Sequence, residues 1–223
     1  MKKSIALILT LVFVFSAMIG VIPTFAEGEP TLKITHANIE LGNAPYLYFA
    51  VNYSDFESAE GIQLKITNKN TNVTHIYDPI SDEETAALNA PEGCVVFKYV
   101  AISLHQMGDE LKVQAMKDGQ NCGEAKTYSV LEYALKAQSL DSDRAELYAA
   151  MIEWGAHMQN VNKYTGTYDL FKTYSLVEVK DGGNIEHNSK IIVERGTKIT
   201  AKFKSGASVS ITTSEPYHVI KEQ

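Results

Sequence analysis

Apolar and polar residues alternate with a period of two along most of this chain, and one stretch, Tyr128 to Tyr164, has helical spacing instead. Leu32 and Ile34, then Ile39 and Leu41, predict a strand whose register shifts near His36-Ala37. Tyr46 to Tyr53 is apolar on both faces, which predicts a central strand. Ile62, Leu64 and Ile66 alternate up to an Asn68-Lys69-Asn70 turn, with Val73 to Tyr77 as hairpin partner. A polar loop is expected from Asp78 to Gly93. Cys94 to Val100 and Leu111 to Ala115 read as strands, joined by a single helical turn within Ala101 to Gly108. Asp118-Gly119 is a hairpin turn, and Cys122 to Thr127 is its return.

In the helical stretch, Ser129 and Glu132 have capping-box spacing, and Tyr128 and Tyr133 stand where a hydrophobic staple holds the incoming chain. A break at Ser139 to Ser142 precedes a second start at Asp143 with Glu146. Leu147, Met151, Trp154, Met158 and Val161 then fall on one stripe of a helix. Together with Tyr128 and Tyr133 these side chains are expected to pack two antiparallel helices onto a β-domain. Gly155 beside the stripe leaves room for another element to approach closely, at some cost in helix propensity.

Beyond Tyr164 only strand-like runs appear, at 174–179, 190–193, 198–203, 209–212 and 217–220, separated by Gly-containing turns. About 50 residues bury only a thin core, so this part should be marginal alone. The expected fold class is mainly β with a helical hairpin (α+β): residues 27–127 as an Ig-like β-sandwich, 128–164 as the hairpin, 165–223 as a small β-rich module.

Residues 1–26 have the pattern of a signal peptide: Lys2 and Lys3, an apolar run from Ile5 to Ile22, Pro23, and a small residue at Ala26. An uncleaved anchor is the rival, since the run is just long enough to span a bilayer. Cleavage leaves 223 − 26 = 197 residues and, with two lysines lost, moves the formal charge from −7 to −9. Such an acidic chain argues against nucleic acid and anionic lipid as partners. No further apolar span, lipid-accepting cysteine or sorting motif is present, so no stable membrane anchor is expected after cleavage. In an exported chain the two cysteines, Cys94 and Cys122, are a disulfide candidate, two unpaired thiols being the alternative.

No catalytic motif stands out. The six histidines are scattered, without metal-ligand spacing, and no nucleophile elbow or phosphate-cradling loop occurs. No catalytic residue, cofactor or metal is therefore expected. Asp78, Asp82, Glu83 and Glu84 offer hard oxygen ligands for Ca²⁺, but without an EF-hand pattern a solvated acidic loop accounts for them better. Tyr46, Tyr48, Tyr53 and Trp154 are the candidate sugar platform; core packing is the competing role for aromatics at strand and helix-stripe positions.

The succession VVFKYVAISLHQMGDELKVQAM, TYSVLEYAL and AELYAAMIEWGAHMQ resembles a module of secreted and surface proteins of anaerobic Gram-positive bacteria. The matching positions are Met107, Gly108, Asp109, Tyr128, Ser129, Val130, Tyr133, Gly155, Ala156 and Gln159, with a loose echo at Asn162 and Tyr164; Trp154 replaces the usual tyrosine. The resemblance spans roughly Thr31 to Tyr164. It implies a secreted or envelope-associated module of an Ig-like sandwich and a helical hairpin, without assigned activity. The expected function is extracellular interaction or spacing with a protein or glycan partner. The rivals are a carbohydrate-binding module and an extracellular hydrolase with an unrecognised site.

Overall fold

The computed structural model describes residues 30–41, 45–100, 102–140, 144–166, 169–186 and 188–222. The signal peptide expected over 1–26, and the helix start expected at Asp143, lie outside these residues. The fold is mainly β, with 40% strand against 24% helix. The chain forms two compact units: residues up to 65 with 76–100 and 114–124, and residues 66–75 with 101–113 and everything from 125 on.

The first unit is built on an antiparallel sheet of β1 (Lys33–Leu41), β2 (Pro45–Asn52) and β5 (Cys94–Val100), with β2 in the middle. β2 buries both faces: Leu47, Phe49 and Val51 on one, Tyr48 and Ala50 on the other. The register shift in β1 falls between Ile34 and His36. Strand β3 (Ile62–Asn68) begins in this unit, and β4 (Thr74–Tyr77) and β6 (Leu111–Lys117) end in it. β6 turns through Asp118 (φ 50°) and Gly119 (φ 78°) into β7 (Gln120–Asn121). Both central residues lie in the left-handed region, as a type I′ turn requires.

The polar loop expected at 78–93 contains a helix, α1 (Asp82–Ala87). Ser81 Oγ accepts from the Glu84 N–H at 3.2 Å while Glu84 Oε2 accepts from the Ser81 N–H, a capping box. None of its residues is buried, so no apolar stripe announced it. Asp82, Glu83 and Glu84 form its first turn, where the helix dipole favours negative charge.

The second unit holds β8 (Lys126–Tyr128), α2 (Val130–Leu140), α3 (Ala145–Asn162) and α4 (Leu170–Thr173). The four-residue α4 interrupts a segment expected to be strands only. The Ser129 half of the expected capping box of α2 is present: the Glu132 N–H donates to Ser129 Oγ at 3.0 Å, and the Tyr128 and Tyr133 rings lie 6.4 Å apart. A sheet with order β10-β9-β13 follows, from β9 (Tyr174–Val179), β10 (Lys190–Glu194) and β13 (Tyr217–Ile220), then a hairpin of β11 (Lys198–Lys202) and β12 (Ser208–Thr212). Val177, Val179 and Ile220 from the sheet and Ile199, Ala201 and Phe203 from the hairpin segment share one core cluster. The other face of the sheet packs against the helices, so these strands do not stand alone.

The stripe expected to pack α3 is a correction. Trp154 is 62% exposed and Leu147 and Val161 are exposed; Met151 is buried and Met158 half-buried. The buried face is Ala145, Tyr148, Ala149, Ile152, Gly155, Ala156 and Gln159. Four of these are Ala or Gly, and at Gly155 the small side lets neighbouring backbone come close.

Candidate functional site: a groove beside α3

Gly155 sits at the tightest of those approaches. A Cβ there would lie 2.3 Å from Met107 Sδ and 3.0 Å from the Leu104 carbonyl oxygen, in the 3₁₀ turn Leu104–Gln106. One helical turn on, Gln159 donates from Nε2 to the His105 carbonyl at 3.1 Å and accepts the Leu170 N–H at 2.9 Å. Asp109, fully buried, accepts from Asn68 Nδ2 at 2.8 Å and from the Tyr164 hydroxyl. Burial and the Asp109 carboxylate hold the Tyr164 phenol well above its ordinary pKa. Met107, Asp109, Gly155, Gln159 and Tyr164 thus meet in one packed joint, and that joint fixes where α4 begins.

From there α4 and α3 enclose a groove against β9, with about 350 Å³ of open volume. Its floor is apolar: Ile152, Ala156, Leu170, Leu176 and Ile192. Phe171, Tyr174 and Tyr217 add rings, and the His157 ring meets Phe171 edge-on at 5.2 Å. One wall is charged. Lys190 Nζ lies 2.8 Å from Glu153 Oε2, and the Tyr217 hydroxyl donates to Glu178, whose other oxygen lies 3.8 Å from Lys180. The Tyr217 hydroxyl, with Lys180 and Lys190 nearby, holds the Glu178 carboxyl below its usual range. The Glu178 carboxylate in turn pushes Tyr217 up to about 12.

The chain around Tyr217 is held by two local bonds and one from β9. The N–H groups of Ser214 and Glu215 both donate to His218 Nε2, at 3.0 and 3.1 Å, and Ser175 Oγ donates to the Glu215 carbonyl at 2.6 Å. These bonds fix the approach to Pro216 and so aim Tyr217 at Glu178.

The residues singled out from sequence do not converge on this groove. Tyr48 is buried in the first unit, donating to Glu40 Oε2 at 2.6 Å, and Lys98 Nζ stands 4.1 Å over the Tyr46 ring. Tyr46 and Tyr53 are half-buried in the same unit, and Trp154 lies on α3 of the second unit. Cys94 and Cys122 are free thiols. Cys94 Sγ contacts Thr35 Oγ1 and Asn52 Nδ2, each at 3.8 Å, and Cys122 Sγ faces the Pro30 carbonyl; polar neighbours take the place of the expected bond. The groove itself was missed, because 152–157, 170–178, 190–192 and 216–217 each read as ordinary helix or strand. The one available signal was Tyr217, an aromatic one residue after proline.

Among the described residues no group of three or more His, Cys, Asp or Glu is placed to hold a metal ion, and no helix is long and apolar enough to cross a membrane. No protein-family model matches the chain, and no curated protein or solved structure matches it either.

Proposed function

We propose that this chain is an exported, non-catalytic interaction module, an Ig-like sandwich followed by a helical hairpin, and that the groove beside α3 is its contact site. The carrying observation is the groove's make-up: an apolar floor, rings at its side and a charged wall whose carboxylates are each held by a neighbouring lysine or hydroxyl. Binding sites combine a mostly apolar lining with a few placed polar groups in this way. A hydrolytic reading draws less support. Glycosidic acids need a raised carboxyl pKa, whereas Glu178 is held down by the Tyr217 hydroxyl and two lysines.

The second reading, carbohydrate binding, moves from the expected platform to Phe171 and Tyr217, the latter 48% exposed beside Glu178 and Lys190. The test is a glycan array and a pull-down of envelope proteins, run on the unaltered chain, on Tyr217→Ala and on Trp154→Ala. Capture lost with Tyr217→Ala and kept with Trp154→Ala supports the groove. Product release from any arrayed glycan would make the chain an enzyme and end the proposal.

A further inference from the structure

The two edges of the β10-β9-β13 sheet are treated differently. On β10, buried Gln138 closes the edge: its Nε2 donates to the Ile192 carbonyl at 2.7 Å and its Oε1 accepts the Ile192 N–H at 2.9 Å. One side-chain amide thus takes the place of a neighbouring strand at the middle residue of β10. β13 has no such cover. It runs parallel to β9, and Leu176 N–H donates to the Pro216 carbonyl and Lys180 N–H to the Ile220 carbonyl. In a parallel ladder alternate residues face the partner, so 216, 218 and 220 serve β9 while Tyr217 and Val219 direct their N–H and C=O outward. Among the described residues no loop or strand bonds to those four groups.

Exposed edges are ordinarily guarded by charge, proline, a bulge or a short strand; β13 has four residues and follows Pro216, but its own outward residues carry no charge. At the two outward positions of β13 stand Tyr217 and Val219, 48% and 39% exposed. Side chains alternate along a strand: Ile220 enters the core cluster, and Tyr217 lines the groove. Open backbone groups and the groove therefore lie on adjoining sides of the same residues.

We infer that β13 accepts an extended segment of a partner protein as an additional strand, with a lysine or arginine side chain of that segment entering the groove. The backbone requirement follows from the outward row of donors and acceptors, which only another extended chain satisfies repeatedly. The side-chain requirement follows from charge. The groove's own lining has two carboxylates, Glu153 and Glu178, against one ammonium, Lys190; Lys180, 3.8 Å from Glu178, stands outside the lining with its side chain 46% exposed. Its apolar floor suits the aliphatic stem of a basic residue.

This rests on the groove being the contact site, and the experiment separates the two. The probe is an acetylated, amidated nine-residue peptide alternating lysine and valine, titrated into the isotope-labelled chain. The expected result is saturable shifts of the Tyr217 and Val219 amides at roughly millimolar peptide, with slowed hydrogen exchange at both. A peptide with glutamate in place of lysine should bind at least about tenfold more weakly, as should Val219→Pro, which removes an outward N–H and leaves the bonds to β9. Exchange at Tyr217 and Val219 in the unaltered chain decides the matter if Val219→Pro does not fold. Binding that slows neither amide and is lost with Tyr217→Ala overturns strand addition and leaves the groove. Absence of peptide binding overturns strand addition, and the glycan array then judges the groove separately. A dimer formed through β13 without peptide also overturns it, the occupant then being a second copy.

Discussion

A methyl group on Gly155 would sit 2.3 Å from the Met107 sulfur and 3.0 Å from the Leu104 carbonyl oxygen. Alanine ordinarily stabilises a helix interior by about 1 kcal/mol over glycine. Here the sulfur can swing aside but the backbone oxygen cannot, and overpacking costs typically about 1–3 kcal/mol. Gly155→Ala is therefore expected to lower stability on balance, read as an earlier urea midpoint at unchanged slope. Tyr164→Phe removes a donor to buried Asp109 and leaves that carboxylate with Asn68 as its side-chain donor. The expected loss is about 1–3 kcal/mol, again by urea denaturation; an unchanged midpoint would mean that water replaces the hydroxyl. The close approach at Gly155 was legible in the sequence, since a glycine inside a helix weakens it unless a neighbouring element uses the space. The pairing of Asp109 with Tyr164, 55 residues apart, was not, because nothing local to either residue encodes the other.

On the scale of elements, α3 shows how a helix with two apolar faces misleads. Leu147, Trp154 and Val161 outweigh Ala145, Ala149, Gly155 and Ala156 in hydrophobicity, yet the small residues are inside, with Tyr148, Met151 and Ile152, and those three are outside. Periodicity detects a face; close packing selected the other one, where backbone comes within reach of Met107 and Leu104. Trp154→Ala should accordingly change stability by no more than about 0.5 kcal/mol, the usual size of a surface substitution. A loss of several kcal/mol in chemical denaturation would return Trp154 to the core. Gln138→Leu makes the opposite case on α2. It keeps the bulk but orphans the buried N–H and C=O of Ile192, at about 1–3 kcal/mol. Its signature is faster amide exchange along β10 than along β9. Capping was the legible part of these helices: the Glu132 N–H bonds to Ser129 Oγ as the spacing predicts, because a cap is complete within four residues.

For the whole molecule, the mainly β class with a helical insertion was readable from alternation alone, whereas the groove needed four segments brought together from 152 to 217. Its charged wall also gives the chain a pH signature. Glu178 has its folded pKa lowered, so the stability it contributes is present above the free value of 4.5 and is lost as pH falls through the folded one. Tyr217 has its pKa raised, so its contribution is whole below 10.0 and disappears as pH rises through about 12. The melting temperatures of the unaltered chain and Tyr217→Phe should therefore differ by a constant amount between those limits and converge on both sides. A difference independent of pH would mean that the Tyr217–Glu178 bond does not form. The closed β10 edge carries a last consequence. With Gln138 holding both main-chain groups of Ile192 at the middle of one side, β13 is the edge that the β10-β9-β13 sheet leaves open along its length. Whatever pairs with β13 completes that sheet, and two copies meeting there antiparallel would use up both free edges about a two-fold axis. A contact through β13 alone therefore pairs the protein once and does not propagate a fibre.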